Sequence, residues 1–200
     1  MRLPGFYPVV DSASWVSRLT GAGARLVQLR IKSDDTVRLS REIDAALAAC
    51  QAAGALLVVN DHWELAVAQG AQALHLGQED LDTADLPAIR RAGLKLGVST
   101  HDEAELDRAL SVAPDYVALG PIWPTTLKKM PWAPQGLARL GAWRARIGAL
   151  PLVAIGGITL ERARACRAAG ADAVAVVSDV LAHADPEARA RAWIAAVETD

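Results

Sequence analysis

The amino-acid sequence predicts a single α/β domain over residues 1–200, folded as a (β/α)8 TIM barrel. Eight short apolar runs recur along the chain, separated by amphipathic segments rich in alanine and arginine. Strands that alternate with helices in this way are typical of parallel β/α units. An open doubly wound sheet is the alternative, because 200 residues lie near the lower bound for a barrel. The count of eight favours the barrel.

Each predicted strand is a run of four or five mostly apolar residues, bounded by polar residues or glycine. The strands are expected at 6–10, 26–29, 55–59, 73–76, 95–98, 116–119, 151–155 and 173–177. Several intervening segments end in a glycine just before the next run, which is the usual way for a helix to stop. These helix-ending glycines are Gly23, Gly54, Gly70, Gly93 and Gly170.

A long loop is predicted after the sixth strand, in the stretch "GPIWPTTLKKMPWAPQG" from Gly120 to Gly136. Its four prolines rule out a regular helix or strand, because each proline fixes φ and removes a backbone donor. Loops of this length in compact domains are commonly functional.

The composition narrows the possible partners and location. A formal charge of −2 gives no reason to expect nucleic acid or an anionic membrane as partner. The N-terminus has no apolar run typical of a signal peptide, and no run approaches the ~20 residues of a membrane span. Cys50 and Cys166 lie far apart, as expected for buried thiols of a reduced, cytoplasmic protein. We expect small-molecule substrates, and the sequence leaves the oligomeric state open.

Polar residues follow the predicted strands almost entirely at their carboxyl ends. They occur in "QLRIK", "NDH", "GQED", "STHD", the long loop, "GGI" and "VSD". The carboxyl ends of the strands and the loops after them build the active site of a barrel. The sequence therefore predicts a site at that mouth.

The segment "QLRIK" predicts an anion site. Strand periodicity places Gln28, Arg30 and Lys32 on one face, and Leu29 and Ile31 on the other. Leu29 and Ile31 would pack against the helices. The three polar side chains would then face the interior and the mouth of the barrel. Two cations there are costly without an anion. A solvated edge strand is the alternative, but a closed barrel has no edge.

A magnesium site is one interpretation of Asn60, Asp61 and Asp80. Mg²⁺ commonly takes one or two carboxylates together with substrate phosphate oxygens. The alternative is that each aspartate only caps a helix. Spacing alone leaves Glu79 as a competitor of Asp80.

Ser99 ends the fifth strand, where it either contacts a ligand or caps the next helix. Thr100 and Asp102 are rival caps. None of the four histidines has a partner at metal-ligand spacing, and we assign none a catalytic role. His75 lies within a strand and is expected to fill the core or the barrel interior.

A second anion site is predicted after strands seven and eight, where barrels often bind phosphate. Gly157 lets backbone N–H groups approach an anion, and the amides of Val177 and Ser178 complete the cradle. A tight turn and an N-cap are the plainer interpretation, and the two are compatible. Residues of the long loop can reach either anion site, namely Thr125, Thr126 and Lys128.

Taken together, these motifs resemble the thiamine phosphate synthase family. The resemblance covers Val27 to Ser178 and rests on the order and spacing of "VQLRIK", "NDHWELA", "LHLGQEDL", "LGVSTHDEAEL", "LGPIWPT", "APQGL", "VAIGGIT" and "AVVSD". The family implies a transferase of thiamine biosynthesis. It joins 4-amino-2-methyl-5-(diphosphooxymethyl)pyrimidine to 4-methyl-5-(2-phosphooxyethyl)thiazole, giving thiamine phosphate and diphosphate.

The resemblance also implies a role for each matching residue. The pyrimidine diphosphate would be held by Gln28, Leu29, Arg30, Ile31, Lys32, Asn60, Ser99 and Lys128. The catalytic residues among them would be Arg30, Lys32, Ser99 and Lys128. Asp61 and Asp80, rather than Glu79, would bind Mg²⁺. The thiazole phosphate would be held by Thr125, Thr126, Leu127, Gly157, Val177 and Ser178.

One position departs from the family pattern. Many members read Pro-Thr-x-Thr-Lys in the long loop, whereas this chain has Leu127 in place of the second threonine. A hydrogen bond to a charged group is worth ~1.5–3 kcal/mol, so weaker binding without loss of turnover is expected.

Three other activities are compatible with the same barrel. A thiazole tautomerase would bind only the thiazole phosphate and would not need the cations or the aspartate pair. A phosphosugar epimerase would need an acid–base pair at the mouth. A sensor of thiamine intermediates without turnover would not need Arg30, Lys32, Asp61, Asp80 and Lys128 intact.

Overall fold

The computed structural model describes residues 2–125 and 132–198, and it confirms the barrel. Eight parallel strands pair in chain order, and β1 pairs with both β2 and β8, so the sheet is closed. This closure excludes the open doubly wound sheet. The strands are β1 (Phe6–Val10), β2 (Leu26–Leu29), β3 (Leu56–Asn60), β4 (Ala73–Leu76), β5 (Lys95–Thr100), β6 (Tyr116–Leu119), β7 (Leu152–Ile155) and β8 (Ala173–Val176).

The predicted strand bounds differ from these by two residues at most. The main difference is β5, which continues through Ser99 to Thr100. These polar residues still pair with β6, opposite Ala118 and Leu119. Ladder pairing uses the backbone, so a strand can outlast the apolar run from which its end was predicted.

Helices follow every strand in the described ranges. They are α1 (Ala13–Gly21), α2 (Thr36–Ala53), α3 (Trp63–Ala68), α4 (Leu86–Arg91), α5 (Glu103–Ser111), α6 (Gly136–Ile147), α7 (Leu160–Ala168), α8 (Ser178–Leu181) and α9 (Pro186–Val197). A short 3-10 turn, Asp80–Asp82, precedes α4. The five helix-ending glycines all have positive φ, which confirms their predicted role.

The apolar residues form two separate clusters. The larger one lies between the strands and the helices and includes Val27, Leu29 and Ile31. The smaller one fills the barrel and includes Leu26, Val58 and other residues of the opposite strand face. Alternation along each strand produces this division.

Gly97 makes room for a large side chain inside the barrel. It pairs with His75 on β4 and with Tyr116 on β6. A Cβ atom at Gly97 would lie 2.0 Å from the Tyr116 ring. The ring of Tyr116 instead stacks on that of His75, with centroids 5.5 Å apart.

Both cysteines are buried free thiols, as predicted. Burial raises the pKa of Cys50 to about 11 and that of Cys166 to about 12. In the described part of the chain, we find no helix with the length and apolar character of a membrane span.

Candidate functional site

The carboxyl ends of the strands bring most of the predicted pyrimidine-binding residues to one mouth of the barrel. Asn60 ends β3, and Gln28 lies one residue before the end of β2. Each is only 5% exposed, so their polar groups face the interior rather than bulk water. Ser99 on β5 is half-buried. The strand register fixes these positions, because each residue is paired with a residue of the neighbouring strand and faces the barrel interior.

A buried hydrogen-bond chain connects Gln28 with Ser99 across the barrel interior. Gln28 Nε2 donates to Tyr7 Oη over 2.9 Å, and Tyr7 Oη lies 2.8 Å from Tyr116 Oη. His75 Nδ1 lies 2.9 Å from Tyr116 Oη, and its Nε2 lies 2.8 Å from Ser99 Oγ. Two predicted ligand-binding side chains are thus joined through three residues that lie beneath the mouth.

Burial keeps the three middle residues of this hydrogen-bond chain, Tyr7, Tyr116 and His75, uncharged. It raises the pKa of Tyr7 and Tyr116 well above the usual range of a phenol. Burial and, to a smaller extent, the nearby positive charge of Arg30 together lower the pKa of His75 to about 4. The two phenols and the imidazole are therefore neutral near pH 7.

Ser99 does not cap α5, which was the alternative to ligand contact. The Asp102 side chain caps α5 by accepting from the Glu105 N–H over 2.9 Å. Ser99 is instead fixed from β4 and the loop after it: His75 contacts its hydroxyl, and Gln78 Nε2 donates to its carbonyl oxygen over 2.7 Å. Sequence reasoning missed Gln78, although it stands in the "GQED" motif, two residues before Asp80.

Tyr7 and Tyr116 are the other residues that sequence reasoning missed. Both stand in the apolar runs of β1 and β6, where a tyrosine looks like ordinary core. The available signal was the period of two, which places both inside the barrel, together with the need of a buried phenol for a hydrogen-bond partner.

Asp61 and Asp80 lie next to each other at the mouth. Asp61 has a left-handed backbone, with φ of 64°, and its N–H donates to the His75 carbonyl oxygen over 3.0 Å. Burial, together with the charge and hydrogen bonding of the neighbouring Asp80, raises the pKa of Asp61 to about 6. The Arg30 charge opposes this shift.

Helix capping does not account for the two aspartates. His62, not Asp61, stands at the N-cap of α3, and it makes no side-chain capping bond. Asp80 Oδ2 accepts from the Gly77 N–H over 2.9 Å, which orients the carboxylate from the strand side.

The aspartate pair fits a divalent cation bound together with substrate. Two adjacent carboxylates, one half-buried with a raised pKa, are the arrangement whose repulsion a cation relieves. Over residues 2–125 and 132–198, no group of three or more metal-ligating side chains occurs. Two carboxylates are nevertheless what Mg²⁺ commonly takes from a protein when phosphate oxygens and water complete its shell.

The rest of "QLRIK" follows the predicted alternation. Leu29 and Ile31 are buried in the outer cluster, so they can reach a ligand in the mouth only through their backbone. Arg30 is half-buried, and its N–H donates to the Val10 carbonyl oxygen over 2.7 Å. Lys32 is exposed, beyond the end of the strand. The two cations therefore stand at the rim rather than inside the barrel.

The predicted phosphate cradle combines a glycine with a left-handed backbone and the start of a helix. Gly157 has φ of 64°, and a Cβ atom there would lie 2.4 Å from the Pro124 carbonyl oxygen. Val177 precedes α8, which begins at Ser178. The first N–H groups of a helix have no acceptor within it, so they are available to an anion.

The start of the long loop runs beside Ile155, Gly156 and Gly157. The N–H groups of Ile122 and Trp123 donate to the Ile155 and Gly156 carbonyl oxygens over 2.9 and 3.0 Å. Thr125 follows directly. The predictions for Thr126, Leu127 and Lys128 lie outside the described residues. After them, the Trp132 ring stacks on His101, with centroids 4.0 Å apart.

Comparisons with known proteins agree with the motifs. A family model described as thiamine monophosphate synthase matches residues 6–180. The chain is 61% identical to a thiamine-phosphate synthase of Rhizobium etli over 196 residues, 98% of this chain and 96% of that protein. It is 54% identical to a thiamine-phosphate synthase of Neisseria meningitidis, over 94% of this chain and 92% of that one.

A solved structure gives the same result. The fold matches that of thiamine phosphate pyrophosphorylase from Pyrococcus furiosus with a TM-score of 0.86 and 27% identity, covering 98% of this chain and 96% of that one. The chain belongs to the thiamine monophosphate synthase family.

Proposed function

We propose that the protein joins the pyrimidine diphosphate to the thiazole phosphate, and so makes thiamine phosphate and diphosphate. The observation that carries the proposal is the Asp61–Asp80 pair. It lies at the same barrel mouth as Arg30 and as the glycine-lined cradle of Gly157. One mouth thus offers two separate anion sites, which is what a reaction between a diphosphate and a phosphate ester needs.

The pyrimidine diphosphate would lie over β2, β3 and β5. Gln28, Asn60 and Ser99 supply polar groups to its ring, and the backbone of Leu29 and Ile31 lies beside them. Arg30 and Lys32 at the rim face its diphosphate. Lys128 joins them by the resemblance of the long loop to the family pattern.

Asp61 and Asp80 would hold Mg²⁺ against that diphosphate. The bound cation would neutralise negative charge that gathers on the leaving oxygen. Asp80 accepts from the Gly77 N–H through Oδ2, so its Oδ1 would be the oxygen left for the cation.

The thiazole phosphate would lie in the cradle formed by the amides at Gly157, Val177 and Ser178. Thr125 stands beside the cradle, since the preceding loop residues pair with Ile155 and Gly156. Thr126 and Leu127 are assigned to the same phosphate by resemblance alone.

The proposed reaction is dissociative. The bond between the pyrimidine methylene carbon and the diphosphate oxygen breaks, and its electron pair leaves with diphosphate. The amino-substituted ring delocalises the resulting positive charge. The lone pair of the thiazole nitrogen then forms the new C–N bond. This path needs no protein nucleophile; it needs fixed charges around the leaving group and a neighbour held in line.

The location in the cytoplasm is part of this proposal. It is supported by the two free, buried thiols, which suit a reducing compartment. The partners proposed are the two small-molecule substrates.

The test is to incubate the purified protein with both substrates and Mg²⁺ and to measure thiamine phosphate. We expect thiamine phosphate and diphosphate in equal amounts. No product, with the thiazole phosphate still bound, would contradict the proposal. Incubation with the thiazole phosphate alone tests the tautomerase alternative, for which we expect no isomerised product.

A further inference from the structure

The buried hydrogen-bond chain joins Gln28, Tyr7, Tyr116, His75 and Ser99. We propose that Tyr7, Tyr116 and His75 are positioning residues that hold Gln28 as an acceptor and Ser99 as a donor toward an amino-substituted nitrogen heterocycle. This inference rests on the proposed function, because it assumes that Gln28 and Ser99 face the pyrimidine.

The three middle residues act through their neighbours rather than on a ligand. Tyr7 and Tyr116 are no more than 1% exposed, and His75 is 7% exposed. They stand on three different strands, β1, β6 and β4, which the closed sheet holds at fixed separations. Their hydrogen bonds therefore set the orientation of groups that do reach the mouth.

Counting protons shows which group donates in each bond of the hydrogen-bond chain. Gln28 donates to Tyr7 Oη, so the single phenol proton of Tyr7 is left for Tyr116 Oη. The proton of Tyr116 then goes to His75 Nδ1. The imidazole proton must be on Nε2, directed at Ser99 Oγ. Reversal of the Tyr7–Tyr116 or the Tyr116–His75 link alone would leave a buried phenol proton without an acceptor, which is costly. Reversal of the His75–Ser99 link alone would make both imidazole nitrogens acceptors, and a neutral imidazole must carry one N–H.

The two ends of the chain then present opposite functions. Ser99 Oγ accepts from His75, so its own proton is available to a ligand. The Gln28 amide uses Nε2 inside the barrel, and no described residue donates to its Oε1. The site therefore offers one donor and one acceptor. A 4-aminopyrimidine matches both, since its ring nitrogen accepts and its amino group donates.

The first experiment measures the tautomer of His75 in the free protein. In ¹⁵N-histidine-labelled protein at pH 7, we expect Nδ1 to be unprotonated and Nε2 to carry the proton, with the signal assigned by its loss in His75→Gln. A His75 protonated on Nδ1 would reverse the chain and overturn the proposal. This measurement does not depend on turnover.

The second experiment is a double-mutant cycle of Tyr116→Phe with Ser99→Ala. We expect Tyr116→Phe alone to lower kcat/KM for the pyrimidine diphosphate about tenfold, as for loss of one ordered hydrogen bond, with an unchanged KM for the thiazole phosphate. In the Ser99→Ala protein, Tyr116→Phe should have less than about twofold effect, because its effect passes through Ser99. Equal effects in both backgrounds would overturn the proposal.

The control is Thr100→Val, which removes another buried hydroxyl of β5. This hydroxyl donates to the Ala118 carbonyl oxygen and is not part of the hydrogen-bond chain. It should leave both KM values unchanged. If Tyr116→Phe does not fold, the cycle is repeated with Tyr7→Phe and Gln28→Ala, with the same expectation. If the wild-type protein makes no thiamine phosphate, the proposed function fails and the aminopyrimidine assignment fails with it. If turnover is normal and the cycle is additive, only the positioning role fails.

Discussion

The backbone N–H of Asp61 donates to the carbonyl oxygen of His75 over 3.0 Å. This bond ties a residue with a left-handed backbone to the residue of the adjacent strand whose imidazole contacts Ser99. The predicted metal-binding carboxylate and the predicted pyrimidine-binding hydroxyl are thus both fixed by one residue of β4.

Replacement of Asp61 by asparagine should increase the Mg²⁺ concentration needed for half-maximal turnover by roughly tenfold or more. Asparagine tolerates the left-handed backbone, so the change removes a charge and leaves the turn intact. Asp61→Ala should have at least as large an effect. The measurement is initial rate against Mg²⁺ concentration, and an unchanged Mg²⁺ dependence would refute the role of Asp61 as a ligand.

The raised pKa of Asp61 should make stability depend on pH when Mg²⁺ is absent. Its ordinary value of 3.8 rises to about 6 in the folded protein, so the folded state binds the proton more tightly than the unfolded state. The contribution of this group to the free energy of unfolding must therefore decrease as the pH rises from about 4 to about 6.

Denaturant unfolding in EDTA at several pH values measures this contribution. Relative to Asp61→Asn, the wild-type protein should lose stability across that window, and Mg²⁺ should oppose the loss by binding the ionised pair. A constant difference between the two proteins from pH 4 to pH 7 would contradict the assigned cause.

Gly157→Ala should lower stability and weaken thiazole phosphate binding. A left-handed backbone costs a non-glycine residue ~1–2 kcal/mol, and the added Cβ would overlap the Pro124 carbonyl oxygen. Gly141→Ala is the matched control, because Gly141 lies within α6 and its nearest contact would be at 3.8 Å. Thermal unfolding and the KM for thiazole phosphate are the measurements; equal behaviour of the two variants would contradict the cradle.

Leu127→Thr should leave kcat close to that of the wild-type protein. Restoring the hydroxyl adds a hydrogen bond to the thiazole phosphate worth ~1.5–3 kcal/mol, so its benefit should appear as a lower KM. Kinetics at saturating thiazole phosphate separate the two parameters. A rise of kcat by orders of magnitude would mean that Leu127 limits the chemistry.

The fold was predictable from the sequence because the signals are local. Each strand is recognisable in the sequence as a short apolar run. Glycines such as Gly54 and Gly170 mark the helix ends, and both have a positive φ in the structure. The carboxyl-end placement of Gln28, Asp61 and Ser99 follows from that order alone. The assignment of residues 1–200 to one domain and the ligand roles of the site residues stay predictions.

The buried hydrogen-bond chain was not predictable in the same way. Tyr7, His75 and Tyr116 are far apart in sequence. Their strands, β1, β4 and β6, are not neighbours in the sheet. Only closure of the barrel brings their side chains together. Strand periodicity says which face a residue occupies, but not which residues of distant strands meet there.

Gly97 has a consequence for the evolution of this site. A single methyl group there would collide with the ring of Tyr116, yet the residue lies beneath the mouth and has no side chain to contact a ligand. Under the positioning role proposed above, recognition of the pyrimidine would be sensitive to a residue that does not contact the ligand. Altered substrate preference selected in this scaffold can be expected to arise from the packing beneath the mouth as well as from its rim.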